Sequence, residues 1–173
     1  MFGITAMLAA NINAMRRGTL ESARQGAVSR IQDLLPSLTS SSLVMAVNEQ
    51  DNLAEFRHDF PLDAINLQNR WQNYNMLEIN AERLATWRED FAKQVLATWQ
   101  QGGNVWLPER VFQSKPRPEW NWVEGDDKRV KWSDLPSFFS RFQTGPAIGG
   151  GDGFVLLLPS VHNASILTAM PQK

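Results

Sequence analysis

Few residues of this sequence have the types and spacing that could bind a ligand or perform chemistry. Asn48 and Asp51 directly follow an apolar run that predicts a strand, and Asp152 lies in the glycine-rich stretch "GGGDGF". In open α/β sheets, ligands bind beyond the carboxyl ends of the strands, where Asn48 and Asp51 would lie. We therefore predict that Asn48, Asp51 and Asp152 are ligand or partner contacts.

Tryptophan is the most unusual component, since the chain has seven and four of them fall between residues 106 and 132. Trp120 and Trp122 alternate, so they would share one face of an extended segment. Indole rings stack on sugars and favour membrane interfaces. We predict that Trp120, Trp122 and Trp132 contact a ligand, lipid or partner. The alternative is that they pack beneath the segment that carries them.

No catalytic set is evident. His58 and His162 are the only histidines, and no G-x-S-x-G motif supplies a nucleophilic serine. The chain has no Cys, which excludes a zinc–thiolate site. The acidic pair Asp126 and Asp127 precedes two basic residues and is typical of a solvated turn. The "GGGDGF" stretch precedes a predicted strand, whereas a phosphate-binding loop precedes a helix.

We therefore predict no catalytic residue, no metal and no cofactor, and we lean against an enzyme for this chain alone. A small enzyme that uses Asp51 with His58 or Asp152 remains an alternative. The length of 173 residues fits one domain with an appendage. The net charge of −1 argues against a nucleic-acid partner.

The first 17 residues contain an apolar run that ends at Ala10. A membrane span needs about 20 apolar residues, and a signal peptide carries its positive charge before the apolar run. Three interpretations remain open: the end of a membrane helix, an interfacial anchor, or a buried helix.

Apolar periodicity predicts helices over residues 19–34 and 81–101, the second ending at Gly102 with a positive φ. Short apolar runs predict three strands, at 43–47, 104–107 and 154–159. We expect residues 48–80 to be a loop followed by an irregular helical stretch. A Trp- and Pro-rich surface excursion should follow the second strand, and then a short helix capped by Ser133.

The order of elements predicts an α/β fold with a small, mainly parallel sheet of about three strands covered by helices. The predicted organisation is an apolar N-terminal segment at 1–17, an α/β domain at 18–160 and a polar tail at 161–173, which should fray.

Three stretches, "LPSLTSSSLVMAV", "WQQGGNVWL" and "DGFVLLLP", resemble the extracytoplasmic C-terminal region of polytopic membrane glycosyltransferases that use lipid-linked sugars. The resemblance covers roughly residues 1–160. It implies that residues 1–17 are the end of the last membrane span and that the soluble portion is extracytoplasmic, as in the periplasm. The catalytic acids of that family lie on loops that this chain lacks, so no catalytic residue carries over.

We therefore expect a noncatalytic α/β domain of a membrane-associated protein or assembly, which contacts a membrane-protein partner, lipid or glycan. The alternative is a soluble carbohydrate-binding or accessory subunit.

Overall fold

The computed structural model describes residues 21–22, 25–39, 41–47, 71–76, 79, 82–116, 130–150 and 152–170. Within this part of the chain, four helices and one five-stranded sheet form an α/β fold, which confirms the predicted class. The helices are α1 (25–34), α2 (Trp87–Gln100), α3 (Asp134–Phe139) and α4 (Val161–Thr168). The strands are β1 (Ser42–Ala46), β2 (Trp71–Asn75), β3 (Val105–Pro108), β4 (Thr144–Ile148) and β5 (Phe154–Leu157).

The sheet has the strand order β2-β1-β3-β5-β4. Strand β1 pairs in parallel with β2 and β3, whereas β5 pairs antiparallel with β3 and β4. The three predicted strands correspond to β1, β3 and β5. The prediction of about three mainly parallel strands is wrong, because the described sheet is mixed and has two further strands at its edges.

Strand β2 lies in a stretch that we expected to be irregular and helical. Its sequence "WQNYN" is rich in Gln and Asn, which are uncommon in strands. Among the described strands it pairs with β1 alone, and the side chains of Gln72 and Asn73 are exposed. An edge strand tolerates such side chains, so its polar composition gave no sequence pattern that predicts a strand.

Strand β4 lies in a stretch that we expected to be a loop, because it contains Gly145 and Pro146. It occupies the other edge of the sheet, and its pairing with β5 is irregular between Thr144 and Ala147. Proline is tolerated at sheet edges and bulges, where its missing N–H breaks no ladder. The breaker residues were therefore compatible with a strand.

Helix α1 covers one face of the sheet. Ala27, Ile31 and Leu34 are fully buried at the predicted helical spacing. They pack in one cluster with Val44, Trp106 and Phe154, which come from three different strands.

Helices α2, α3 and α4 contribute to a larger cluster with the side chains of the other face. The predicted stripe of α2 is confirmed for Trp87, Phe91 and Val95, which are buried, and Gly102 follows the helix with φ of 73°. The four predicted inward positions of the short helix region are also buried: Leu135, Phe138, Phe139 and Phe142.

Ser133 does not cap α3 as we predicted. Its backbone is helical, and its side chain makes no capping hydrogen bond. Instead, its carbonyl accepts a hydrogen bond from the Ser137 hydroxyl at 2.8 Å.

The prediction of a fraying polar tail is wrong for residues 161–168, which form α4. The Ser160 hydroxyl caps this helix by accepting from the Asn163 N–H. The Asn163 side chain is fully buried. Its amide nitrogen donates to the carbonyls of Gln143 and Leu158 at 2.7 and 2.8 Å, and its oxygen accepts from the Gln143 N–H at 2.8 Å. These bonds fasten α4 to the chain beside β4 and β5.

Replacing Asn163 with Ala should lower the free energy of unfolding by about 2 kcal/mol, because the backbone groups of Gln143 and Leu158 lose their hydrogen bonds to a fully buried amide. Asn163→Asp should lower the free energy of unfolding further near neutral pH, because a carboxylate cannot donate hydrogen bonds to the two carbonyls. Urea unfolding measures both effects. Ser165→Ala on the exposed side of α4 is the control, and an equal loss in all three variants would contradict the assignment.

Two glycine substitutions should have opposite signs. A Cβ at Gly103 would overlap the Ser41 carbonyl and lie 2.9 Å from Thr98 Cγ2, whereas a Cβ at Gly26 in α1 meets nothing within 4 Å. We expect Gly103→Ala to destabilise by about 1–3 kcal/mol through overpacking. We expect Gly26→Ala to stabilise by up to about 1 kcal/mol, since alanine favours the helix. Thermal unfolding compares the two, and a Gly103→Ala variant that is at least as stable as the wild type would refute the packing at Gly103.

Candidate functional site

The candidate site is the edge of the sheet where the three parallel strands end, called here the carboxyl edge. Strands β1, β2 and β3 end there at Ala46, Asn75 and Pro108. Strand β5 begins at the same edge, because Phe154 pairs with Pro108. The Glu109 N–H donates to the Gly153 carbonyl at 2.8 Å, which joins the residue after β3 to the loop before β5. The carboxyl edge therefore unites chain segments that are far apart in sequence.

Arg110 is the most unusual side chain near this edge. It lies in a 3-10 turn, Glu109–Phe112, that directly follows β3, and it is fully buried. It interacts with neighbouring groups. A buried guanidinium requires hydrogen bonds or a counter-charge, and its planar array of donors suits carboxylates and phosphates. It therefore brings a buried positive charge to the residues that follow β3.

Arg110 is not among the residues that the sequence pattern indicated as contacts. The available signal was its position, two residues after the end of a buried strand in "VWLPER". An arginine at such a position is usually exposed, so composition alone gave no reason to expect burial.

The glycine-rich loop joins β4 to β5, and Gly149 and Gly150 have φ of 90° and 69°. Strand β5 follows this loop, whereas a phosphate-binding loop is followed by a helix. Asp152 is half-buried in this loop and interacts with neighbouring groups. Its predicted contact role stays a prediction, but its position near the carboxyl edge is now defined.

Asn48 and Asp51 lie outside the described residues, as does His58. The chain that carries them leaves β1 at Val47, which is fully buried beside the end of that strand. The contact roles of Asn48 and Asp51, and the alternative that Asp51 acts with His58 or Asp152, therefore stay predictions.

Trp120 and Trp122 also lie outside the described residues, as do Asp126 and Asp127. The ends of their segment are described. Val130 is buried, and the Trp132 indole N–H donates to the Gln113 carbonyl at 2.8 Å. This hydrogen bond joins the chain before residues 117–129 to the chain after them. We call Gln113, Val130 and Trp132 the stem.

Trp132 does not have the surface position that we predicted. Only 1% of its surface is exposed, and it belongs to the main hydrophobic core. The indole therefore stabilises the stem from inside the protein and is not available to a ligand at the surface. Its burial favours the packing alternative over a contact role for this residue.

Tyr74 is a second buried polar side chain, and its phenol is titratable. It sits on β2, directly before Asn75, and its hydroxyl donates to the Trp87 carbonyl at 2.9 Å. Burial raises the pKa of this phenol well above its ordinary value, Arg83 lowers it and Asp90 raises it slightly. The neutral phenol thus serves as a hydrogen-bond donor that ties β2 to the start of α2.

His162, the second histidine of the chain, has a simple structural setting. His162 is exposed on α4, with Nε2 3.0 Å from the Arg141 carbonyl.

Within the described ranges, no three His, Asp or Glu side chains are grouped so that they could hold a metal ion. No described helix is both long and apolar enough to cross a membrane.

Comparisons with protein-family models, with curated proteins and with solved structures found no match for this chain. The function is therefore argued from the geometry of the carboxyl edge and the stem.

Arg110→Ala should lower the free energy of unfolding by about 3 kcal/mol or more, because the groups that surround a buried charge lose it. Arg141→Ala, at an exposed arginine, should change stability by less than about 0.5 kcal/mol. Chemical denaturation of both variants provides the measurement. If Arg110→Ala lowers the free energy of unfolding no more than Arg141→Ala does, the guanidinium is not part of the folded interior.

Stability should also depend on Tyr74 at alkaline pH. The folded-state pKa lies above the ordinary value of 10.0, so the stabilising contribution is complete below pH 10.0 and is lost as the pH rises above it. Because of this residue, the free energy of unfolding should fall by about 1.4 kcal/mol for each pH unit above 10.0. The measurement is the slope of unfolding free energy against pH, compared with Tyr74→Phe.

Tyr74 is the only tyrosine, so phenolate absorbance reports it alone. The phenolate signal should appear only when the protein unfolds. Ionisation near the ordinary pKa in the folded protein would disprove the burial argument.

Proposed function

We propose that this chain is a noncatalytic α/β binding domain of a membrane-associated protein or assembly, and that it contacts a glycan, lipid or protein partner through the segment containing Trp120 and Trp122. The resemblance to glycosyltransferase soluble domains supports an extracytoplasmic setting. Asn48, Asp51 and Asp152 are proposed as secondary contacts at the carboxyl edge. The chain binds its partner and leaves any chemistry to another part of the assembly.

The stem is the single observation that carries this proposal. The buried Trp132 indole, bonded to the Gln113 carbonyl, holds both ends of the Trp-bearing segment against the rigid core. Binding residues are often placed on loops that a rigid scaffold positions. A loop with fixed ends also loses less conformational entropy on binding than one with free ends. The arrangement therefore supports a recognition role for residues 117–129.

The carboxyl edge is a second observation that supports the same proposal. The Trp-bearing segment leaves the fold shortly after β3, and the 3-10 turn between them contains the buried Arg110. The loop with Asp152 lies beside the start of this turn through the bond between Glu109 and Gly153. The loop with Asp152 and the chain that leads into the Trp-bearing segment are thus joined at one short turn, which supports a site that combines hydrogen bonding with stacking.

The membrane part of the proposal depends on the sequence of residues 1–17, which lie outside the described residues. Their apolar run ends at Ala10, and Arg16 and Arg17 follow a short stretch later, a combination that suits an interfacial position. It supports the proposal because the described domain begins shortly after it.

The experiment is liposome flotation of the full chain, with vesicles of zwitterionic lipid and of mixed anionic lipid. Wild-type protein should float, and a chain without residues 1–15 should float less. The double variant Trp120→Ala/Trp122→Ala should float less if the rings enter the interface. Val161→Ala is the control, because Val161 is 85% exposed and starts α4 near the opposite edge of the sheet. Failure of the wild-type chain to float on either vesicle would reject the membrane part.

A soluble carbohydrate-binding subunit is the second candidate, favoured by the alternation of Trp120 and Trp122. A glycan screen with the same variants distinguishes it. Each single Trp→Ala change should weaken binding by about fivefold, the loss of one stacking contact. Glycan binding without flotation supports this candidate, and glycan binding that neither variant alters rejects it.

A further inference from the structure

The sequence contains one Asn-X-Ser/Thr triplet, Asn163-Ala164-Ser165, the pattern to which oligosaccharyltransferases attach N-linked glycans. This pattern ordinarily indicates an exposed loop of an exported protein. Here it lies inside helix α4, and its asparagine is fully buried. The position of the triplet in the fold therefore conflicts with the usual setting of a modified asparagine.

The acceptor atom is occupied by hydrogen bonds in the folded state. The side-chain nitrogen of Asn163 has two N–H groups, and these donate to the carbonyls of Gln143 and Leu158 at 2.7 and 2.8 Å. The side-chain oxygen accepts from the Gln143 N–H. No N–H of the acceptor nitrogen is left to approach a sugar donor.

The third residue of the triplet is occupied as well. The Ser165 hydroxyl donates to the Val161 carbonyl at 2.9 Å, one turn earlier in the helix. An enzyme that must bind both Asn163 and Ser165 would have to unwind α4 and withdraw it from the core. Leu167, also fully buried, opposes that withdrawal.

We propose that Asn163 accepts an N-linked glycan only while α4 is undocked, so that folding of this domain and glycan transfer to Asn163 exclude each other. Transfer forms a bond from the Asn163 side-chain nitrogen to the anomeric carbon of a lipid-linked oligosaccharide. The bond from that carbon to the lipid diphosphate breaks, the amide loses one proton, and the lipid diphosphate leaves. A glycan on this nitrogen replaces one of the two donated hydrogen bonds and cannot fit in the buried site.

The test incubates the purified full chain with an oligosaccharyltransferase and a lipid-linked oligosaccharide, with intact mass as the readout. A synthetic peptide of residues 158–170 measures the intrinsic reactivity of the triplet. The peptide should be modified, and the folded chain should be modified at least about tenfold more slowly, because reaction requires local opening. Asn163→Gln should abolish modification of the chain.

Two matched variants on α4 separate docking from the local sequence. Leu167→Ser removes a buried anchor and should accelerate modification toward the peptide rate. Val161→Ser changes a residue that is 85% exposed and should leave the slow rate unchanged. The inference is overturned if the folded wild type reacts as fast as the peptide, if the peptide does not react, or if Leu167→Ser does not accelerate the reaction.

Discussion

Complete burial of β1 is the constraint on which the rest of the fold depends. Every residue from Ser42 to Val47 has 0% exposed surface, so the strand must be covered on both faces and paired on both sides. Its neighbours β2 and β3 satisfy the backbone, and α1 and α2 belong to the clusters on its two faces. A strand of this kind cannot form at an edge, because an exposed apolar face would cost about 25 cal/mol for each Å². The central position of β1 then determines which strands can lie farther out.

The outer strands obey the opposite rule. Strand β2 carries exposed Gln72 and Asn73, and β4 carries exposed Pro146. Such residues discourage the pairing of a further strand at a sheet edge. Gln and Asn present polar side chains there, and proline has no backbone N–H to donate. The same sheet therefore places its most apolar strand in the centre and its most irregular strands at the edges. The mixed direction of the strands follows from the β4–β5 hairpin, which returns to pair antiparallel with β3.

Side-chain hydrogen bonds reinforce the core packing at three places. Asn163 attaches α4, Tyr74 attaches β2 to α2, and Trp132 closes the stem. In each case a side chain with little exposed surface donates a hydrogen bond to a backbone carbonyl of another chain segment, which satisfies a polar group that would be costly to bury without a partner. The stem matters most for the proposed function, because it positions a segment rich in tryptophan without depending on the conformation of that segment.

The sequence by itself determined the α/β class, the central strands β1, β3 and β5, the buried stripes of α1 and α2, and the glycine stop at Gly102. These features follow from local apolar patterns that only one environment can satisfy. It did not reveal β2, β4 or α4, because edge strands and a capped terminal helix tolerate polar or breaker residues whose partners lie far away in sequence. It also did not distinguish a surface role from a core role for Trp132, nor indicate that Arg110 and Asn163 are buried. Burial of a polar or aromatic side chain depends on which distant groups meet it, and only the tertiary structure brings those groups together.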